Sequence, residues 1–170
     1  MESYFKYVRA IDRISDWSGR IVSYLVYPLV GGGAYEVIAR YLFHAPTEWA
    51  YDVTYMLYGS IFMLGAAYTL LTKGHIRTDF FYSKWSPQKQ GKIDAIMYLV
   101  LFFPGIIFYL IAGIDYAANS WSTHERANSP WMPIIYPFKT VIPLTALMLL
   151  IQGVSEFIKS ISAWKKGEWK

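Results

Sequence analysis

The chain has 170 residues, of which 55% are hydrophobic, 19% aromatic and 16% charged, and it contains no cysteine. Because soluble domains carry about 25% charged residues and disordered chains are poor in hydrophobic ones, this composition excludes disorder and is typical of a membrane protein. The missing cysteines exclude disulfides, thiolate metal sites and thiol catalysis. The net charge of +4 does not indicate nucleic-acid binding, since the basic residues flank long apolar stretches.

Four apolar stretches are long enough to cross a bilayer as helices, which takes about 20 residues each. Pro104 and Pro143 lie within the third and fourth stretches and are expected to kink their helices. Ser86 and Pro87 have the pattern of a helix start, so the third helix is expected to begin ahead of the membrane. The sequence therefore predicts an all-α membrane protein, in which residues 1–170 form a single domain of four transmembrane helices. The predicted spans are 21–42, 49–71, 93–117 and 134–158.

Residues 1–20, ahead of the first span, form an amphipathic pattern. On a helical wheel Tyr7, Val8, Ile11 and Ile14 share one arc, and the charged residues occupy the opposite side. This pattern favours a helix that lies in the membrane interface, with its basic face toward anionic lipid headgroups. A cytoplasmic extension of the first transmembrane helix is the alternative.

The distribution of lysine and arginine predicts the orientation, because cytoplasmic segments are enriched in these residues. Thirteen of the 16 lie in the N-terminal segment, in the connection between the second and third spans, or in the C-terminal tail. Arg40, Arg126 and Lys139 lie on the other side. Both termini are therefore expected in the cytoplasm.

Charged residues within the spans need an explanation, because a charge inside a span costs about 2.5–3.5 kcal/mol on insertion scales. They are Glu36, Arg40 and Asp52, with Glu48 directly ahead of the second span. Glu36 and Arg40 are four residues apart in the first span, as are Glu48 and Asp52 at the start of the second. Since the connecting segment is short, we expect Arg40 to meet Asp52 or Glu48 across the turn as an internal ion pair. Contact with a partner subunit and proton coupling by Glu36 are the alternatives.

Small residues in the spans indicate close helix packing. Gly31-Gly32-Gly33 lies in the first span, Gly65 in the second and Gly113 in the third. Helices in lipid approach closely where side chains are small. The contacts are either within the bundle or with another subunit.

The three histidines exclude several kinds of chemistry. His44, His75 and His124 lie outside the predicted spans, so none is placed to bind haem, to hold a metal within the bundle or to serve an intramembrane hydrolase. No catalytic, cofactor-binding or metal-binding residue is predicted. The chain is not expected to be an enzyme.

A string of residues around the second span resembles a known family. Arg40 closes the first span, Trp49 and Asp52 open the second, Gly65 lies within it, and His75-Ile76-Arg77-Thr78-Asp79 follows it. This string resembles the DctQ-type small membrane subunit of tripartite ATP-independent periplasmic (TRAP) transporters, in which glutamate is usual at the position of Asp52. The resemblance covers nearly the whole chain, although the third and fourth spans carry little family signal.

The resemblance implies a function and a set of partners. A small subunit of the bacterial inner membrane would scaffold a large sodium-coupled transport subunit and help a periplasmic substrate-binding protein to dock, for uptake of an organic acid or related solute. The family motif at the cytoplasmic exit of the second span would comprise His75, Arg77 and Asp79. Candidate docking residues in the periplasmic loop are His124, Glu125, Arg126 and Trp131.

A self-sufficient small exporter is the second hypothesis. In it Glu36 titrates and couples proton movement to the export of an amphipathic cation by a homodimer. Substrate-dependent proton flux through the isolated chain, lost in Glu36→Gln, would distinguish the exporter from the transporter subunit.

Overall fold

The structure, a computed structural model, describes residues 2–75 and 82–169. Arg126 and Ile134 form an isolated antiparallel bridge, and the other regular elements in these two ranges are helical, so the predicted all-α class is confirmed. The helices are α1 (Glu2–Ser23), α2 (Val26–Tyr41), α3 (Ala50–Leu71), α4 (Pro87–Met97), α5 (Phe103–Ser122), α6 (Tyr136–Lys139) and α7 (Val141–Lys166). A π-helical turn at Tyr98–Phe102 joins α4 to α5.

Four helical segments of the described residues are long and apolar enough to cross a membrane, as predicted. They extend beyond most of the predicted spans because polar turns continue the helices. Ser86 begins α4, since its hydroxyl accepts a hydrogen bond from the Lys89 N–H at 3.4 Å and Pro87 takes the first helical position. Gly167 ends α7 in the left-handed conformation, with φ of 76°. The segments are Phe5–Tyr41, Ala50–Leu71, Pro87–Ser122 and Tyr136–Lys166.

Prolines set the breaks within these segments. The break between α1 and α2 lies at Tyr24–Leu25, because the ring of Pro28 would clash with the carbonyl four residues earlier in a continuous helix. The π-helical turn precedes Pro104, and the break at Thr140 precedes Pro143, in the same way. Pro104 and Pro143 thus interrupt their helices as predicted, and the break ahead of Pro28 is an addition.

The central helix of the bundle is α7. It packs against α1, α3, α4 and α5, and a larger share of it is buried than of the other candidate spans. Small side chains let neighbouring helix backbones approach closely, which is how helices associate in lipid. The buried face of α7 consists of small and polar residues: Thr145, Ala146, Gln152, Gly153, Ser155, Glu156, Ser160 and Ala163.

The N-terminal segment is helical, as the amphipathic pattern predicts, and α1 packs against α3 and α7. Val8 and Ser15 are buried on its packed face, whereas Tyr7 and Ile14 from the predicted apolar arc are exposed. The packed face therefore combines part of the predicted arc with Asp12, which contacts α7. The position of α1 relative to lipid headgroups stays a prediction.

The two termini lie at the same end of the bundle, called the terminal end. Nζ of Lys166 lies 5.9 Å from the ring centroid of Phe5, and Nζ of Lys73 lies 4.3 Å from that of Trp169. The opposite end, called the loop end, holds the connection 42–49 and the loop 123–135. This arrangement positions the charged residues discussed below.

Candidate functional site

Glu36 links the first two transmembrane segments at the loop end. Its Oε1 accepts a hydrogen bond from Nε of Arg40 at 2.8 Å, one turn later in α2. Its Oε2 accepts hydrogen bonds from the backbone N–H of Thr47 at 3.0 Å and from the Thr47 hydroxyl. The expected ion pair of Arg40 with Asp52 or Glu48 is therefore not formed, because Glu36 lies on the same helix face as Arg40 and within easy reach.

Asp52 holds the loop 123–135 against α3. Its side chain is buried at the first turn of α3, with the residue only 5% exposed. Oδ2 of Asp52 accepts a hydrogen bond from the Ser129 hydroxyl at 2.6 Å. Beside it the ring of Trp49 stacks on that of Tyr35, with centroids 5.8 Å apart, and Glu48 is exposed. The acidic side chain predicted to pair with Arg40 thus anchors a loop instead.

The loop 123–135 is closed at its base and carries the four residues predicted for docking. Arg126 pairs with Ile134 in the isolated bridge, and its guanidinium donates to the Met132 carbonyl at 3.2 Å. His124 contacts the ring of Tyr136 edge-on, with centroids 5.9 Å apart. Trp131 is 44% exposed. The loop is therefore a folded surface with exposed aromatic and basic side chains.

Glu125 fixes this loop to the start of the last segment. Its Oε2 lies 2.5 Å from Nζ of Lys139. This hydrogen bond to a cation lowers the pKa of the Glu125 carboxyl below its ordinary value of 4.5. Glu125 is therefore ionised at neutral pH and serves the structure of the loop.

A buried polar network joins α1 to α7 toward the terminal end. Nζ of Lys159 lies 2.9 Å from Oδ2 of Asp12 and 2.7 Å from Oε1 of Glu156. The Ser155 hydroxyl donates to Oδ1 of Asp12 at 2.7 Å. The amide nitrogen of Gln152 donates to both carboxylates, at 3.1 and 3.2 Å. Because every charge has an opposite partner and further hydrogen bonds, the network fixes α1 on α7.

This network is absent from the predicted sites. Asp12 lies on the polar side of the α1 wheel, and Glu156 and Lys159 lie near the end of the fourth span, where charges are ordinary. The available signal is the spacing of Gln152, Ser155, Glu156 and Lys159, which places four polar side chains on one face of an otherwise apolar helix. Such a face indicates a buried polar contact.

The helical glycines fall into two groups. One group packs inside the chain, where an added Cβ would lie within about 3.0 Å of another element: Gly19, Gly59, Gly91, Gly113 and Gly153. At the other group an added Cβ would meet no atom of the described residues within 4 Å: Gly31, Gly32, Gly33, Gly65 and Gly105. The predicted packing position Gly65 thus belongs to the open group.

The predicted family motif lies mostly beyond what the structure describes. His75 is exposed, just after the end of α3. Arg77 and Asp79 lie outside the described residues. Lys73, at the same exit, contacts the C-terminal tail through the ring of Trp169.

These contacts join helices to one another and fix the loop 123–135 to the helices beside it. Together with four apolar segments, they define a multi-pass membrane protein in which Glu36, Asp52 and Lys159 have partners within the chain. Residues 29–163 match the family described as tripartite ATP-independent periplasmic transporters, DctQ component. The match covers most of the chain, which therefore belongs to this family and is a small subunit of a TRAP transporter.

The family match bears on the other hypotheses as well. The DctQ family comprises transporter components rather than enzymes. It does not favour the small exporter, and Glu36, the residue required by that hypothesis, is bound by Arg40 and Thr47. No curated protein matches the sequence.

Proposed function

We propose that the chain is the scaffold subunit of a TRAP transporter in the bacterial inner membrane. It holds a large sodium-coupled transport subunit and contributes to the docking of a periplasmic substrate-binding protein, for uptake of an organic acid or related solute. The DctQ match over residues 29–163 carries this proposal. The contacts of Glu36, Asp52 and Lys159 with other parts of the same chain support a structural role.

The thin section of α2 at Gly31, Gly32 and Gly33 is the proposed contact with the large subunit. An added Cβ at these positions meets no described atom within 4 Å, and the neighbouring Val30 and Val37 are 62% and 55% exposed. A helix section of small residues with open space around it allows a helix of another subunit to approach closely. Gly65 offers the same kind of opening on α3.

Co-expression with a large TRAP membrane subunit from the same organism tests the proposal. We expect the two proteins to purify together in mild detergent. In proteoliposomes the complex should take up solute when a sodium gradient and the loaded binding protein are supplied. A stable chain that binds no larger membrane protein would contradict the scaffold role, and uptake without sodium would contradict the coupling.

Gly32→Leu tests the proposed contact between the glycine section of α2 and the large subunit. Because a Cβ added at Gly32 would meet no described atom of another element within 4 Å, we expect the isolated variant to keep its unfolding temperature but to lose the large subunit on purification. Gly32→Ala is the matched control and should retain most of the partner. Undiminished co-purification of Gly32→Leu would place the contact elsewhere.

The docking role of the loop 123–135 is tested with two tryptophans of equal exposure. Trp131 in the loop and Trp164 at the terminal end are each 44% exposed. We expect Trp131→Ala to raise the KM for the loaded binding protein while co-purification of the large subunit stays unchanged. Trp164→Ala should leave that KM unaltered, and equal effects of both changes would contradict docking at the loop.

A further inference from the structure

An open apolar groove lies between α1, α3 and α7. Its volume is about 630 Å³. Ile14 and Trp17 on its α1 side are 62% and 68% exposed, and Leu144 on its α7 side is 45% exposed. The apolar lining includes Ile14, Trp17, Leu64, Leu144 and Met148. All three helices belong to segments that are long and apolar enough to cross a membrane, so the groove lies where lipid can reach it.

The groove has a positively charged end. Arg13 is part of its lining, and Arg9 lies one helical turn closer to the N-terminus on the same side of α1. The neighbouring acids Asp12 and Asp16 are bound to other cations, at 2.9 and 3.0 Å. Among the described residues no carboxylate pairs with either guanidinium. The two guanidiniums can therefore take an anion from outside the chain.

The length of the groove matches one leaflet of a bilayer. Its lining runs along α1 from Arg13 to Val22, which corresponds to a rise of about 14 Å at about 1.5 Å per residue. Half of the hydrocarbon core of a bilayer is about 15 Å thick. An acyl chain therefore reaches along the whole groove when its headgroup lies beside Arg13.

We propose that this groove binds a phospholipid with an anionic headgroup, taken from the leaflet on the side of the N-terminus. The acyl chain fills the apolar lining, because an empty groove would forfeit its dispersion contacts. The guanidinium of Arg13 pairs with the lipid phosphate, and Arg9 adds positive charge beside it. A helix of another subunit would fill the apolar part but would bring no phosphate to the charged end, so the lipid is the better occupant.

Lipid binding by the full chain tests this proposal, and it does not depend on the large subunit. The purified chain is placed in detergent micelles that contain equal amounts of phosphatidylglycerol and phosphatidylcholine, and the bound lipids are counted by native mass spectrometry. We expect bound phosphatidylglycerol in excess. Arg13→Ala should weaken phosphatidylglycerol binding about fivefold, the effect of one basic residue near a membrane surface. Leu144→Trp should remove both lipids by filling the groove.

Two matched variants serve as controls. Lys165→Ala removes an exposed cation at the terminal end but lies outside the groove lining. Leu147 is 44% exposed on the same helix as Leu144, and it also lies outside that lining, so Leu147→Trp adds the same bulk elsewhere. Both variants should bind phosphatidylglycerol as the unaltered chain does.

Several results would overturn the proposal. Unchanged lipid binding in Arg13→Ala or Leu144→Trp would exclude the groove, and equal loss of both lipids in Arg13→Ala would exclude an anionic headgroup. A photoreactive side chain at position 144, activated in intact membranes, gives a second measurement. Crosslinks to phospholipid support the proposal, whereas crosslinks to another protein, or none to lipid, reject it.

Discussion

Two ion pairs of this chain show how burial decides the contribution of an ion pair to stability. Arg40 pairs with Glu36 within one helix, and its side chain is 54% exposed. An exposed pair of this kind contributes little to stability, because solvent screens it. The side chain of Lys159 is only 13% exposed and lies between Asp12 and Glu156. Removing one partner of a buried group of this kind costs about 3–5 kcal/mol, because the remaining charges are left uncompensated.

We therefore expect Lys159→Ala to lower the free energy of unfolding of the detergent-solubilised chain by about 3 kcal/mol, and Arg40→Ala to lower it by much less. Thermal and denaturant unfolding, followed by circular dichroism, measure both. Lys165→Ala, at an exposed position of the helix that carries Lys159, is the control and should have little effect on the free energy of unfolding. A small effect of Lys159→Ala would mean that water compensates the network.

The stability of the loop 123–135 should depend on pH through the ionisation of Glu125. The pKa of this carboxyl is lowered in the folded chain by Lys139, so its contribution to stability is present at neutral pH and is lost as pH falls through that lowered pKa. The unfolding temperature of Glu125→Gln should therefore lie below that of the unaltered chain near neutral pH. The two should converge below about pH 4.5. Glu168→Gln, in the exposed tail, should show no such difference, and a constant gap for Glu125→Gln would contradict the ion pair.

At the scale of helices, glycine decides how closely α4 approaches α7. A Cβ added at Gly91 would lie 2.5 Å from both the carbonyl oxygen of Ser160 and the backbone nitrogen of Trp164. Backbone atoms within a helix cannot move aside as the end of a flexible side chain can. The two helices would therefore have to separate.

Gly91→Ala should destabilise the bundle by about 1–3 kcal/mol, the usual cost of overpacking. The measurement is the unfolding temperature of the solubilised chain. Gly105→Ala is the matched control, because an added Cβ there meets nothing within 4 Å among the described residues. If both variants unfolded at the same temperature, the close approach of α4 to α7 would be in error.

The helices could be predicted from the sequence, whereas their contacts could not. Apolar length gives the four segments, and Ser86 with Pro87 gives the start of α4. A helical wheel assigns Asp12 to the solvent side because it sorts side chains by polarity alone. The partners of Asp12 lie on α7, and no periodicity connects residues so far apart in the chain.

The same limit explains the prediction for Arg40. Its helix neighbour Glu36 and the distant Asp52 were both available from spacing, but only the fold shows that Ser129 reaches Asp52 first. Local geometry is specified by sequence spacing, and the competition between local and distant partners is specified by the tertiary structure.

For the whole molecule, the orientation in the membrane stays a prediction that a single experiment can check. The chain contains no cysteine, so one introduced cysteine is the only reactive thiol. We expect Asn128→Cys, in the loop 123–135, to react with a membrane-impermeant maleimide in intact spheroplasts. Glu168→Cys, in the C-terminal tail, should react only after permeabilisation. The opposite pattern would place the termini outside and would reverse the assignment of lysine-rich segments to the cytoplasm.

The central position of α7 has a consequence for biosynthesis. This helix leaves the ribosome after α1, α3, α4 and α5, yet all four pack on it. Asp12 is made 147 residues before Lys159, which at about 5–20 residues per second is a delay of roughly 7–30 s. During that interval the earlier segments are already in the bilayer without their common partner, so the nascent chain relies on lipid or on the insertion machinery until α7 has been made.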